Sequence, residues 1–162
     1  MISLPAWPFG LMRPLRHGLS AFALVFASAA YGQSESDYAI VDGVAVYSAI
    51  MPAETLRGFP PGSDEARMHG GVPEGRHIHH LQIALFDAST YARITAATVT
   101  ATLAQSDLAG TQLQLEPFLI GDKLTYGGYF EFARTGLYKI EVRAVLPGGG
   151  GPVDTIFEYQ HR

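Results

Sequence analysis

A cluster of histidines is the part of this sequence whose residue types and spacing could do chemistry. His77, His79 and His80 fall within four residues, at the start of a segment that predicts a β-strand. In a strand, His77 and His79 share one face and lie about 6.5–7 Å apart along it. Two imidazoles at that spacing can converge on one metal ion. The pattern therefore predicts a metal site at this strand.

The alternation of the strand separates the three histidines. His77 and His79 are in phase with the apolar positions of residues 81–85, which are expected to face the core, whereas His80 points to the opposite side. The pair is thus expected at the end of the core, where it meets solvent. His161 also closes a strand, in phase with the apolar residues before it. Strand direction, which the sequence leaves open, decides whether the two ends coincide.

Further candidate ligands lie in the connection before this strand. Met68 and His69 precede a pair of glycines, and Met51 opens the same segment. Imidazole suits Cu(II) and zinc, and a thioether favours Cu(I), so copper is the predicted ion and zinc the second choice. The predicted ligands are His77 and His79, with His69, Met68 and His161 or Met51 completing the set. The competing interpretation is structural: histidines that cap strand ends, and methionines that fill the core.

Composition excludes several other classes of function. The chain has no cysteine, which excludes disulfides, zinc–thiolate sites and a catalytic thiol. No serine lies in a nucleophile elbow, and the glycine run at residues 148–151 lacks the lysine of a phosphate loop, so no enzyme is predicted. The net charge is −4, with no basic stripe. Nucleic acid is therefore not an expected partner.

The first residues predict export. Arg13 and Arg16 precede an apolar run of nine residues at 19–27, and Ala27-Ser28-Ala29 follows with the small residues that signal peptidase recognises. The run is shorter than the ~20 residues of a membrane span. We expect a cleavable signal peptide at 1–29, a flexible mature N-terminus at 30–37 and a periplasmic domain at 38–162 with no membrane span.

The mature chain predicts an all-β fold. Asp42-Gly43 between two apolar runs indicates a hairpin, and alternating apolar and polar residues recur after Arg76. Residues 51–75 predict a long loop with one helical turn, and the Gly127-Gly128 pair inside a strand predicts a bulge or a close backbone approach. We expect one immunoglobulin-like antiparallel β-sandwich of about seven to eight strands.

Two segments carry a resemblance to known exported domains. Residues 85–94 have the sequence Leu-Phe-Asp-Ala-Ser-Thr-Tyr-Ala-Arg-Ile and lead into an alternating strand at 97–103. Residues 136–142 follow a Gly-x-Tyr-x-aliphatic-x-Val pattern. Together these resemble small exported YtkA-like and FixH-like immunoglobulin-like modules. The sequence departs from them at Tyr91-Ala92, where a turn glycine is common. The resemblance implies a β-sandwich and, for some members, an association with copper or with cytochrome oxidase assembly.

Two functions from different classes follow. The first is a periplasmic module that binds or delivers a metal, with copper preferred, and catalyses no turnover. The alternative is an interaction module that docks on another exported protein and whose histidines are incidental. Metal affinity of the untagged mature domain separates the two.

Overall fold

The structure is a computed structural model that describes residues 37–105 and 109–162. The predicted signal peptide and nearly all of the predicted flexible segment lie outside the described residues. None of the helices in the described part is long and apolar enough to cross a membrane. The strands are β1 (Tyr38–Val41), β2 (Val44–Pro52), β3 (Ile78–Asp87), β4 (Thr98–Ala104), β5 (Thr111–Ile120), β6 (Lys123–Glu131), β7 (Gly136–Val145) and β8 (Val153–His161). Between β2 and β3 lie α1 (Ala53–Arg57), α2 (Asp64–Arg67) and a 3-10 turn (Met68–Gly70).

The strands form an antiparallel array in the order β1-β2-β3-β6-β5-β4-β7-β8. The array folds into two layers, β1-β2-β3-β6-β5 and β5-β4-β7-β8, that share β5. The first half of β5 pairs with β4 up to Leu115, and its second half pairs with β6 from Glu116 onward. The two outermost strands, β1 and β8, lie close to each other, so the array is nearly closed. The predicted all-β antiparallel sandwich of seven to eight strands is confirmed.

The first hairpin forms where the sequence predicts it. Tyr38 to Val41 pairs with Val44 to Tyr47, and the turn residues Asp42 and Gly43 have φ angles of 49° and 77°. Positive φ at both positions is what a two-residue turn needs to match the twist of its strands. This hairpin places β2 beside β3, which carries the histidine cluster.

The core follows the predicted alternation. Leu81, Ile83 and Leu85 of β3 are buried, as are the alternate residues Ile140 and Val142 of β7. Because successive side chains of a strand point to opposite faces, His79 faces this core and His80 faces outward. Yet His80 is only 1% exposed. Something must therefore cover the outer face of β3.

The covering segment is the connection between β2 and β3. Ser63 caps α2 by accepting a hydrogen bond from the backbone amide of Ala66, at 3.2 Å. Leu56 and Met68 are buried, and both α2 and the 3-10 turn contact β5. The long segment predicted as loop with one helical turn thus contains two helices and a 3-10 turn. Met51 belongs to β2, in register with His80.

Candidate metal centre

Two imidazoles face each other on the outer side of the sheet. Nε2 of His69 lies 3.1 Å from Nε2 of His80, and the other ring nitrogen of His69, Nδ1, lies 3.1 Å from Oε2 of Glu116. His69 comes from the 3-10 turn, His80 from β3 and Glu116 from β5. Residues from three separate elements therefore meet at one place. We call the two histidines, His69 and His80, the outer pair.

The backbone of His69 is in a rarely used conformation. Its φ angle is 54°, in the left-handed region, and Gly70 and Gly71 follow with φ angles of 81° and 114°. A residue other than glycine pays an energetic penalty there, so such a conformation persists where surrounding contacts hold it. The contacts to His80 and Glu116 supply that support. The turn thus presents the ring of His69 toward β3.

Gly127 of β6 makes room for the outer pair. A Cβ atom at this position would lie 2.6 Å from Nε2 of His80 and 2.7 Å from Cε1 of Phe118. Strand β6 runs through both glycines without a break: Gly127 pairs with β3 and β5, and Gly128 pairs with β3. Of the two sequence interpretations, the close backbone approach is confirmed and the bulge is wrong. The missing side chain leaves the space that the imidazole occupies.

Aromatic rings enclose the outer pair. The ring of Phe118 lies 5.1 Å from that of His69 and 5.2 Å from that of His80. The ring of Tyr129 lies 5.1 Å from that of His80. Within the described residues, Nδ1 of His80 and the hydroxyl of Tyr129 are buried without a hydrogen-bond partner. Unpaired buried polar atoms are unusual and call for an explanation such as a bound ion or water.

The electrostatics keep His80 neutral. Burial, and then the charge of His69, lower the pKa of the His80 imidazole to about 4. Burial disfavours the charged form of a base, and a neighbouring cation adds to that effect. At neutral pH the ring therefore has an uncharged nitrogen able to coordinate a cation.

The spacing of the outer pair fits a shared metal ion. Imidazole nitrogens bind zinc at about 2.0–2.1 Å, so two of them 3.1 Å apart subtend about 100° at the ion. Within residues 37–105 and 109–162, no three His, Asp or Glu side chains stand ready as a complete ligand set. The outer pair thus supplies two nitrogens, and any further ligand must come from another side chain or from solvent.

A second group of histidines lies at the end of the core. The ring of His161 is 5.0 Å from that of His79 and 6.0 Å from that of His77. Nδ1 of His79 lies 3.2 Å from the carbonyl oxygen of His77, and the ring of Phe132 is 4.9 Å from His79. Burial, followed by the charges of His79 and His77, lowers the pKa of His161. We call His77, His79 and His161 the inner group.

The structure divides the predicted ligands between these two places. It brings His77, His79 and His161 together, and it places His69 against His80. Met68, the residue before His69, is buried. Sequence reasoning set His80 aside because its parity points away from the core, and gave Glu116 no role. No sequence signal shows that the segment before β3 folds back over its outer face.

Comparison with known proteins gives a likeness in fold. No family model matches the chain, and no curated protein matches it by sequence. The resemblance to YtkA-like and FixH-like modules accordingly stays a prediction. A copper-bound variant of FetP from uropathogenic Escherichia coli superposes with a TM-score of 0.59 at 16% identity, over 76% of this chain and 93% of FetP.

Two other solved structures are similar. A copper-bound variant of P19 from Campylobacter jejuni has a TM-score of 0.57 at 13% identity, over 78% of this chain and 95% of that one. A DUF4426 family protein from Pseudomonas aeruginosa has a TM-score of 0.58 at 11% identity, over 80% and 96%. At such identities the likeness shows the fold alone. The chain shares its β-fold with small proteins that include copper-bound variants of FetP and P19.

Proposed function

We propose that the mature chain is a periplasmic module that binds or delivers a metal ion, most suitably copper, at the outer pair of His69 and His80. The observation that carries the proposal is the 3.1 Å separation of their Nε2 atoms, with Glu116 hydrogen-bonded behind His69. A carboxylate on the far nitrogen of a ligating histidine is a recurrent feature of metal sites, where it orients the ring and raises its basicity.

Three further features support copper. The site offers imidazole without thiolate, because the chain has no cysteine, and imidazole is a common copper ligand. A thioether, the soft ligand that the sequence predicts, is available in Met68, the residue before His69. The likeness to two copper-bound structures is consistent with the same class of ligand. Zinc is the second candidate, since it takes the same nitrogens.

The periplasmic location is also part of this proposal. It rests on the predicted signal peptide at 1–29 and on the fold shared with FetP, one structure of which came from protein expressed in the periplasm of E. coli. We propose binding without turnover because the sequence offers no activated nucleophile or phosphate loop.

The test is a metal titration of the untagged mature domain. Cu(II) and Zn(II) are titrated by calorimetry, and Cu(I) by competition with a chromogenic chelator under reducing conditions. Dissociation constants of about 1 μM or tighter support the proposal. A His69→Gln/His80→Gln double variant should lose this affinity, while the matched His77→Gln/His79→Gln variant retains it. Binding weaker than about 1 μM by the unaltered domain contradicts the proposal and favours the interaction module.

The inner group is the second candidate for the metal. His77, His79 and His161 bring three imidazoles together, which favours it. Nδ1 of His79 is engaged by a backbone carbonyl, so Nε2 would be its coordinating atom. Loss of metal affinity in the His77→Gln/His79→Gln variant, with the outer-pair variant unaffected, would move the proposed site there.

A further inference from the structure

We propose that Glu116 is a positioning residue that fixes the tautomers of both imidazoles in the outer pair, so that a metal ion meets a lone pair on His69. The expected effect of Glu116 on metal binding rests on the proposed function. Its structural part concerns the metal-free protein and can be tested there.

The hydrogen bonds define the proton positions. A carboxylate only accepts hydrogen bonds, so Nδ1 of His69 must carry the proton that it shares with Oε2 of Glu116. In a neutral ring, Nε2 of His69 then has a lone pair. When both rings are neutral, the Nε2 of His80, 3.1 Å away, donates to that lone pair and therefore carries its own proton. A single carboxylate thus determines the tautomers of two rings.

The unpaired nitrogen of His80 agrees with this assignment. With its proton on Nε2, His80 has an unprotonated Nδ1, the atom that is buried without a partner among the described residues. To ligate an ion through Nε2, His80 must carry its proton on Nδ1 instead. His69 needs no such change, because Glu116 already holds it in the ligating tautomer. The two histidines therefore differ in how far they are prepared for a metal.

The position of Glu116 lets it act without supporting the fold. It lies where β5 leaves β4 and begins to pair with β6, directly across from Gly127. Its side chain is 69% exposed, whereas that of His69 is 8% exposed. Removing the carboxylate should thus cost little packing. Its effect should therefore pass through the hydrogen bond to Nδ1 of His69.

The first readout is the tautomer of His69 in metal-free protein. Long-range proton–nitrogen NMR distinguishes a protonated Nδ1 from a protonated Nε2. In the unaltered domain we expect His69 to be protonated on Nδ1 and His80 on Nε2. Glu116→Ala should give His69 a mixed tautomer, and Glu116→Gln, whose side-chain oxygen can still accept, should restore most of the preference. The matched control is Glu131→Ala, an exposed carboxylate on β6.

The second readout is metal affinity. Glu116→Ala should weaken Cu(II) binding by about 10–100-fold, the usual effect of removing a residue behind a metal ligand. Glu131→Ala should leave it within about threefold. An unchanged His69 tautomer in Glu116→Ala overturns the role of Glu116, as does unchanged affinity. Failure of the unaltered domain to bind any metal overturns the proposed function instead, and the tautomer result still decides whether Glu116 orients His69.

Discussion

The outer pair and the inner group both consist of histidines, and they share neighbouring residues of β3: His80 belongs to the outer pair and His79 to the inner group. His79 faces the core, where Phe132 packs at 4.9 Å and a backbone carbonyl engages Nδ1. His80 faces outward and meets a second imidazole, Nε2 to Nε2, under a covering segment. One step along a strand thus separates two different environments.

The contrast between the two regions shows how burial should be interpreted for histidine. Both His79 and His80 are buried. In the inner group, edge-to-face packing with aromatic rings accounts for the burial, which stabilises a core. Around the outer pair, a carboxylate and a glycine-made space accompany it, as do two polar atoms that have no hydrogen-bond partner within the described residues. Those accompanying features, and not burial itself, indicate a binding site. The comparison can be tested from either side.

The largest effect should come from the aromatic packing beside the inner group, and on stability alone. Phe132 is buried against His79, Tyr138 and Tyr159, so Phe132→Ala should lower the free energy of unfolding by about 3–5 kcal/mol. Denaturant unfolding of metal-free protein measures it. Metal affinity, measured where the variant is folded, should change less than threefold. A large loss of metal affinity in folded Phe132→Ala would show that metal binding depends on the packing around the inner group, and would contradict the separation of the two regions.

Acid should reveal the neutral imidazole of the outer pair. The pKa of His80 is lowered to about 4 in the folded domain. Between about pH 6.5 and pH 4, therefore, this imidazole binds a proton in the unfolded chain but not in the folded domain. Stability of metal-free protein should therefore fall as pH drops from about 6.5 to about 4, by at most about 3 kcal/mol from this residue.

The control for this effect is the His80→Gln variant, whose free energy of unfolding is measured at the same pH values. His69 of the 3-10 turn and Tyr129 of β6 lie against His80, Glu116 of β5 is hydrogen-bonded to His69, and all three remain in the variant. Burial lowers the pKa of His161 too, so part of the slope should persist. Identical slopes for both proteins between pH 6.5 and pH 4 would contradict a buried neutral His80.

Single substitutions at the adjacent histidines should separate the two regions most cleanly. His80→Gln removes one of two proposed ligands and should weaken Cu(II) binding about 100-fold, or about 2.7 kcal/mol. His79→Gln, one residue away, should change it less than threefold. Calorimetric titration measures both. Equal losses would mean that one metal draws on both faces of β3, which the geometry does not allow.

The smallest expected effect tests the space at Gly127. In Gly127→Ala the new Cβ would sit 2.6 Å from Nε2 of His80, so the ring must shift. We expect metal affinity to fall about tenfold, which corresponds to 1.4 kcal/mol, and stability to fall by about 1–3 kcal/mol. Gly150→Ala, at an exposed position with open space and no left-handed φ angle, controls for the general loss of a glycine. An unchanged affinity in Gly127→Ala would show that the site tolerates displacement of His80.

Much of the fold could be predicted from local patterns. The Asp42-Gly43 turn and the alternation in β3 and β7 depend on backbone preferences and on one buried face, which a sequence displays directly. The meeting of His77, His79 and His161 could be anticipated only in part, because it needs the direction of β8 relative to β3. Parity correctly separated His79 from His80.

The outer pair could not be predicted, because it depends on tertiary packing. His80 has the parity of an exposed residue, and only the folding of residues 53–70 over the sheet buries it. Glu116 reaches His69 across 47 residues of sequence. The glycine pair was recognised as a sign of close approach, yet the sequence did not show that an imidazole was the approaching group.

The most direct test is a crystal structure of the copper-loaded mature domain with anomalous diffraction at the copper edge. We expect one strong peak about 2 Å from Nε2 of both His69 and His80, with Glu116 still hydrogen-bonded to Nδ1 of His69. A peak among His77, His79 and His161 with the outer pair empty would contradict it.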